Sequence, residues 1–390
     1  MNLAFGKALD RVVGGALARV VGAADAVAEA FVTPAPVERV RTVLVVKFWG
    51  VGNWALLRPV LADVRARFPS ARLVGVTLEG NRALAQDVVD DLVLVRPDGL
   101  LRTVADLARA VLAVRRLRPE LSLDFEQFAS AGALLARAAA VPQRVGFSSG
   151  ARGRDALLTV RVPFRRDRHA ARSFRDLAEA AGVPAGPYVP GGLAPSEAGV
   201  AEVDALLAGR DRGRPVVVLH PGSGDNFPGR RWSPAGFAAV GRLAAGVHGA
   251  LVVVTGSRGE APLVADVAAR VGPGAVAAAG RLGLAGLVAL LARAACVVSN
   301  DTGPVHLASA LGRPVLALFG PNTPVVYGPL AEGSVAFWKA LPCSPCLTVE
   351  SYRSSRCRLP TCMAAIPTGE VATALGRLLA ARGTEASCAR

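Results

Sequence analysis

Two series of short β-branched runs, each alternating with stretches of helical spacing, restrict this chain more than any other feature of its sequence. The first series is Thr42–Lys47, Arg72–Thr77, Leu92–Val95, Leu121–Phe125 and Arg144–Phe147. The second is Val216–His220, Leu251–Thr255, Cys296–Asn300 and Val315–Phe319. Apolar side chains in succession, rather than alternately, suit strands buried on both faces of a parallel sheet. Parallel neighbours need long crossovers, and helical stretches such as Leu56–Phe68 supply them. The expectation is therefore α/β: two doubly wound parallel-sheet domains with helices on both faces. A Pro/Gly-rich stretch, Gly182–Ser196, is the expected linker. The expected domains are 41–190 and 197–390, preceded by a helical extension over 1–40.

Charge narrows the partners. The chain carries 45 basic against 30 acidic side chains, a formal +15, in 390 residues. Residues 1–200 hold 27 basic and 19 acidic groups and residues 201–390 hold 18 and 11, so the excess is not confined to one arm. Surplus base suits an anionic partner. Nucleic acid is not expected, because the basic groups lack interleaved aromatics and a reading helix. The densest stretch, 144–175, has nine Arg against Asp155 and Asp167. It reads either as a solvated face or as an anion-binding surface, with Arg152, Arg154 and His169 as its candidate ligands.

The first forty residues carry an apolar helical stripe (Phe5, Leu9, Val12, Val13, Leu17, Val20, Val21, Ala24, Val27, Phe31) interrupted by Lys7, Asp10, Arg11, Arg19 and Asp25. These charges argue against a membrane span and against a signal peptide, so a cytoplasmic chain is expected. Packing against the protein is the first expectation for this stripe and a membrane-surface helix the second.

Three turns at strand ends carry chemistry, which is where ligands of doubly wound sheets bind. Ser299-Asn300-Asp301-Thr302-Gly303-Pro304 leads into a helix containing His306. Pro suits a first helical position, and the amide hydrogens ahead of it, with the helix dipole, favour a diphosphate. Simple N-capping by Asp301 or Thr302 is the plain alternative. His220-Pro221-Gly222-Ser223-Gly224 runs on to Arg230-Arg231-Trp232-Ser233-Pro234, a Gly-rich turn with a basic pair that can hold phosphate oxygens. Thr255-Gly256-Ser257-Arg258-Gly259-Glu260 offers a carboxylate to ribose hydroxyls, or a mere helix start.

The order of these elements, ending in Asp301-Thr302-Gly303-Pro304-x-His306-Leu307-Ala308 and Phe319-Gly320-Pro321-Asn322, resembles glycosyltransferase family 9 over about residues 42–375. The resemblance implies a GT-B fold, two Rossmann-like domains facing across a cleft, with the nucleotide-sugar held by the C-terminal one. It implies that Asp301, Thr302 and Gly303 meet the donor sugar and phosphates, with Ser223 and His306 nearby. Arg230 stands where the family usually has a phosphate-binding Lys, and Glu260 would meet the ribose. It further implies inverting transfer without a metal or other cofactor. The donor would be a nucleoside-diphosphate sugar such as ADP-heptose, and the acceptor an anionic lipid-linked or lipopolysaccharide glycan met at the inner face of the membrane.

One position departs from the pattern. Where the family commonly has Gly-Asp, with that Asp as presumed base, this chain has Gly52-Asn53. An amide cannot take a proton at neutral pH, so Asn53 can orient an acceptor but not deprotonate it. Asp124 and Glu126, at the end of a neighbouring strand, are the candidate replacements. The departure keeps a non-catalytic sugar-binding protein in view, beside an epimerase or hydrolase of the same architecture. Finally, Cys343-x2-Cys346-x10-Cys357-x4-Cys362 has a spacing compatible with structural zinc or with reduced thiols. No metal is expected, because the resemblance implies that cysteine-rich stretches here occur in members that work without one.

Overall fold

The computed structural model describes residues 10, 14–28, 40–148, 153–224, 227–348, 355 and 357–388. The described residues fall into two compact units, the first running to Val189 and including Thr348, the second taking the rest from Pro190.

The first unit contains helix α1 (Gly15–Ala28), strand β1 (Thr42–Val46), α2 (Val51–Arg67), β2 (Arg72–Leu78), β3 (Asp91–Val95), α3 (Leu100–Leu117), β4 (Leu121–Asp124), α4 (Ala131–Ala138), β5 (Gln143–Ser148), β6 (Val160–Pro163) and α5 (Ala170–Ala180). Its six strands form one parallel sheet in the order β3-β2-β1-β4-β5-β6. The order reverses between β1 and β4, which pair from Val43 with Leu121 to Val46 with Asp124. Every residue of β1 is buried, as its unbroken Thr-Val-Leu-Val-Val run requires.

In α1 the buried side chain is Ala18, packed with Ala133, Leu157 and Leu158, while Leu17 and Val20 are exposed. The extension therefore packs on the unit through Ala18 and the partly buried Val21, a member of the expected stripe, while two other members of that stripe face out. The parts of that stripe at Phe5, Leu9, Val12, Val13 and Phe31 lie outside the described residues. Asp10 reaches across the sequence to accept hydrogen bonds from the Ser130 and Ala131 amides, at 3.0 and 2.8 Å, and so caps α4. Burial outweighs those bonds and raises its carboxyl to about 6.

The second unit contains α6 (Glu197–Leu207), β7 (Val216–His220), α7 (Pro234–His248), β8 (Leu251–Val254), α8 (Ala261–Val271), β9 (Val276–Ala277), α9 (Leu284–Arg293), β10 (Ala294–Asn300), α10 (Gly303–Ala310), β11 (Val315–Leu318), β12 (Val335–Phe337) and a closing helix α11 (Thr368–Cys388). Its parallel sheet runs β12-β11-β10-β7-β8-β9, reversing between β7 and β10. The core gathers Val217, Leu219, Phe237, Val252, Val254, Val298, Leu316 and Leu318 from the strands and α7, closed by Val371, Leu375 and Leu379 of α11. The edge strands β6, β9 and β12, absent from the sequence reading, are short and partly exposed. Among the described residues no helix is long and apolar enough to cross a membrane.

Candidate functional site

At the reversal of the second sheet, three side chains bind the strand ends into one platform. The Asn300 carboxamide, wholly buried, accepts from the Trp232 amide at 3.0 Å and donates to the Pro221 and Gly222 carbonyls at 2.8 and 3.2 Å. It ties the end of β10 to the loop after β7. Arg230 adds a second tie, donating to the Ser223 carbonyl at 2.6 Å and to the Asp301 carbonyl at 3.0 Å.

Glu260 is the third. Its Oε1 accepts from the Ser223 and Gly224 amides and from Arg231 Nη2, at 2.8, 2.9 and 3.2 Å. Its Oε2 accepts from the Ser257 amide and hydroxyl, at 3.0 and 2.9 Å. Burial would raise this carboxyl, but the bonds from Ser257, Ser223 and Gly224 outweigh it and bring it down to about 2. Gly222 is required here, since a Cβ would come within 2.4 Å of the same carboxylate. Five donors fill the lone pairs of one carboxylate. In this structure the Glu260 carboxylate builds the wall of the site, binding the turns after β7 and β8 together.

Asp301 and Thr302 stand at the exit of β10. Asp301 Oδ2 accepts from Asn322 Nδ2 at 2.8 Å and lies 4.0 Å from Arg230 Nη1. Thr302 occupies the N-cap of α10 in extended conformation, yet its hydroxyl turns back to the Asn300 carbonyl (3.1 Å) and Ser299 hydroxyl (3.2 Å), not onto the helix. The simple N-capping reading of Thr302 is corrected accordingly. Pro304 at the first turn has no hydrogen to donate, and the N-cap side chain, that of Thr302, makes no capping bond to α10. The start of the helix, with Gly303, lies at the switch point of the sheet, where an anion would meet its amides and dipole. His306 is buried inside α10 with its ring edge-on to Tyr327, centroids 6.1 Å apart. Beside the platform, His220 Nδ1 meets the Thr255 hydroxyl at 3.0 Å, and burial lowers its pKa to about 4, so it is neutral at pH 7. Ser223 is buried and serves through its backbone and a hydroxyl bond to the Phe227 carbonyl.

The reversal of the first sheet holds a different arrangement. Gly50, at φ 92°, turns the chain from β1 into α2, and Asn53 sits in the first turn with Nδ2 3.4 Å from the Trp49 carbonyl. Glu126 Oε1 accepts from the Phe48 and Trp49 amides at 2.5 and 2.9 Å and pairs with Lys47 at 3.2 Å. Arg154 donates to the carbonyls of Ala129, Phe147 and Glu126 and pairs with Asp124 at 2.9 Å. Burial raises the Asp124 carboxyl against the pull of Arg154. Asp124, Glu126 and Arg154 are all at most 1% exposed. Both carboxylates are held by chain partners, Asp124 by Arg154 and Glu126 by Lys47 and two amides, and Arg154 braces the strand ends.

His169 is the N-cap of α5, its Nδ1 accepting from the Ala171 amide at 3.2 Å. Arg152 lies outside the described residues. Much of the expected basic surface is self-neutralised: Arg165 pairs with Asp167, Arg168 and Arg172 with Asp176, and Arg175 with Asp63. Sequence reasoning missed Asn300 as a tie and Lys47 as the partner of Glu126; each follows a strand it had found. Of the clustered thiols, Cys343 and Cys357 are exposed and Cys362 is buried against Gly320. Among the described residues no group of three or more His, Cys, Asp or Glu is arranged to hold a metal.

Comparison with known proteins bears on the family and the fold. Residues 122–355 match glycosyltransferase family 9 (heptosyltransferase). Lipopolysaccharide heptosyltransferase 1 of Pseudomonas aeruginosa is 34% identical over 142 residues, 36% of this chain and 39% of that protein. Lipooligosaccharide heptosyltransferase 2 of Haemophilus influenzae is 30% identical over 123 residues, 30% of this chain and 35% of that one. The chain thus spans about two fifths or less of the length of these curated relatives. Among solved structures, the ADP-heptose lipopolysaccharide heptosyltransferase II of E. coli superposes with a TM-score of 0.71 at 19% identity, covering 88% of this chain and 99% of that one. A family 9 glycosyltransferase of Veillonella parvula gives 0.74 at 20%, covering 89% and 99%. The two parallel sheets place the fold in the GT-B class, and the chain belongs to glycosyltransferase family 9, the heptosyltransferase family.

Proposed function

We propose that the protein transfers a heptose or related sugar from a nucleoside diphosphate, ADP-heptose being the leading candidate, to a lipopolysaccharide-core or other lipid-linked glycan. The second unit holds the donor and the first the acceptor. The observation that carries this reading is the start of α10, where the N-cap side chain makes no capping bond, flanked by Arg230 and Asp301 at the switch point of the sheet. Developing charge on the leaving diphosphate meets amides, a helix dipole and a guanidinium already fixed in place, which is the economical form of electrostatic catalysis. The sugar lies against Asp301, and the nucleotide runs along the wall that Glu260 builds.

Transfer is by direct attack of an acceptor hydroxyl, with inversion and without a metal, in the cytoplasm at the inner face of the membrane. Asn53, at the Gly50 turn, orients that hydroxyl by hydrogen bonding. The test is a thermal-shift series over nucleotide sugars, followed by NMR of the anomeric centre of the product. A selective rise with one donor, lost in Asp301→Ala, supports the reading; equal shifts in wild type and variant overturn it. Asn53 favours one second reading, a sugar-binding protein without turnover, which predicts the same selective shift and no transfer to any acceptor.

A further inference from the structure

Helix α3 is apolar on two faces. One face enters the core through Ala110 and Val114, with Leu107, Val111 and Leu117 packed beside them. The other carries Leu101, Val104 and Leu112, exposed by 87, 53 and 56%, with exposed Ala105 and Ala108 between them. At about 100° per residue these five fall within an arc of roughly 100°, so they form one continuous stripe. Leu100, at the start of the helix, is exposed as well. Four of the eleven exposed large hydrophobics of the described residues lie on this one helix, a concentration that scattered surface residues do not show.

The charge beside the stripe is mainly basic, its exposed acid being Asp98, 3.8 Å from Arg102. Arg102, Arg109 and Arg116, seven residues apart and all exposed, line one edge, and Arg115 lies near its end. Residues 96–118 contain six Arg against Asp98 and Asp106. Asp106 is buried under Arg96 and Arg109, so it contributes little negative surface. An exposed apolar stripe edged by Arg is the pattern of a helix lying in the interface of an anionic bilayer, with apolar side chains among the acyl chains and guanidinium groups at the phosphates.

We propose that the exposed face of α3 is the surface by which this protein docks on an anionic lipid membrane. The inference deepens the reading of a lipid-linked acceptor and rests on it for its purpose.

The experiment is co-sedimentation of the full chain with vesicles of phosphatidylglycerol and phosphatidylethanolamine, and with vesicles of phosphatidylcholine alone. Wild type binds the anionic vesicles, and raising salt weakens the binding. Leu101→Gln with Leu112→Gln weakens it about a hundredfold, because each Leu withdrawn from the interface is worth roughly tenfold. Arg102→Gln with Arg116→Gln weakens it on anionic vesicles only. Val247→Gln, at an exposed position of the other unit, leaves it unchanged. All substituted side chains are exposed, and unaltered melting temperatures verify folding.

Absence of wild-type binding, or undiminished binding by the Leu pair, overturns the proposal. So does a Leu pair that abolishes self-association while wild type ignores vesicles, which assigns the stripe to a second copy. Transfer to a water-soluble acceptor fragment is measured in parallel. Its retention by the Leu pair leaves the transferase reading standing whatever the vesicles report, and its absence in wild type counts against that reading alone.

Discussion

Replacing Glu260 by Gln removes one charge and turns an acceptor oxygen into a donor facing other donors. The native carboxyl sits at about 2, against 4.5 when unpaired, a difference worth about 3 kcal/mol at neutral pH. Counting bonds leads to a similar figure. An amide nitrogen opposite Ser257 forfeits two charge-assisted bonds of roughly 1.5–3 kcal/mol each. Because the folded pKa lies below the unfolded one, the stabilisation is complete above about pH 4.5 and drains as pH falls toward 2. At pH 3 about 1 kcal/mol should remain. Urea unfolding followed by circular dichroism measures this directly. With a slope of about 2–3 kcal/mol per molar, the variant midpoint should lie about 1 M below wild type at pH 7 and about 0.4 M below at pH 3. A gap below about 1 kcal/mol at pH 7, or one of equal size at both pH values, would refute the reasoning.

Asn300→Ala should cost about 3–5 kcal/mol, because it strands one amide and two carbonyls in a buried site; calorimetry showing less than about 1 kcal/mol would remove its role as a tie. Asn53→Asp should raise turnover at least tenfold with little change in donor KM, by supplying a proton acceptor where only an amide stands, and unchanged kcat would place the proton's destination elsewhere. Asp124→Asn, which discharges the partner of a fully buried guanidinium, should destabilise the first unit by about 3 kcal/mol; a variant that melts like wild type while losing activity would restore Asp124 as a reacting group. In native protein Cys343 and Cys357 should react with a thiol reagent within minutes, and Cys362 only on unfolding; mass spectrometry of the labelled peptides checks the order.

The central strands were legible because burial on both faces writes itself into unbroken runs such as Val43-Leu44-Val45-Val46 and Leu251-Val252-Val253-Val254. Three of the four edge strands were not: Val160–Pro163, Val276–Ala277 and Val335–Phe337 are short and half-solvated, and their pairing is decided by the neighbour they lie beside. Turn positions were equally readable, since Gly-rich strand exits and Pro304 follow from backbone chemistry. The employment of the polar side chains was not. Glu260, Asp124, Glu126 and Arg154 have the right chemistry for ligands or bases, and sequence cannot reveal that other parts of the chain already occupy them. Asn300 was overlooked for the converse reason, because a carboxamide at a strand end looks ordinary until three distant backbone groups converge on it.

Glu260, Asn300 and Arg230 have a joint consequence. Segments 220–224, 255–260 and 300–303 come from three separate strands, yet these side chains weld them into a single rigid piece. On the proposed reading, a nucleotide arriving there need not freeze three loops one after another, so little of its binding free energy is lost to ordering. Loosening the Asn300 weld should therefore appear as slower capture and a heat-capacity signature of coupled ordering, although that carboxamide is wholly buried and spent on backbone groups.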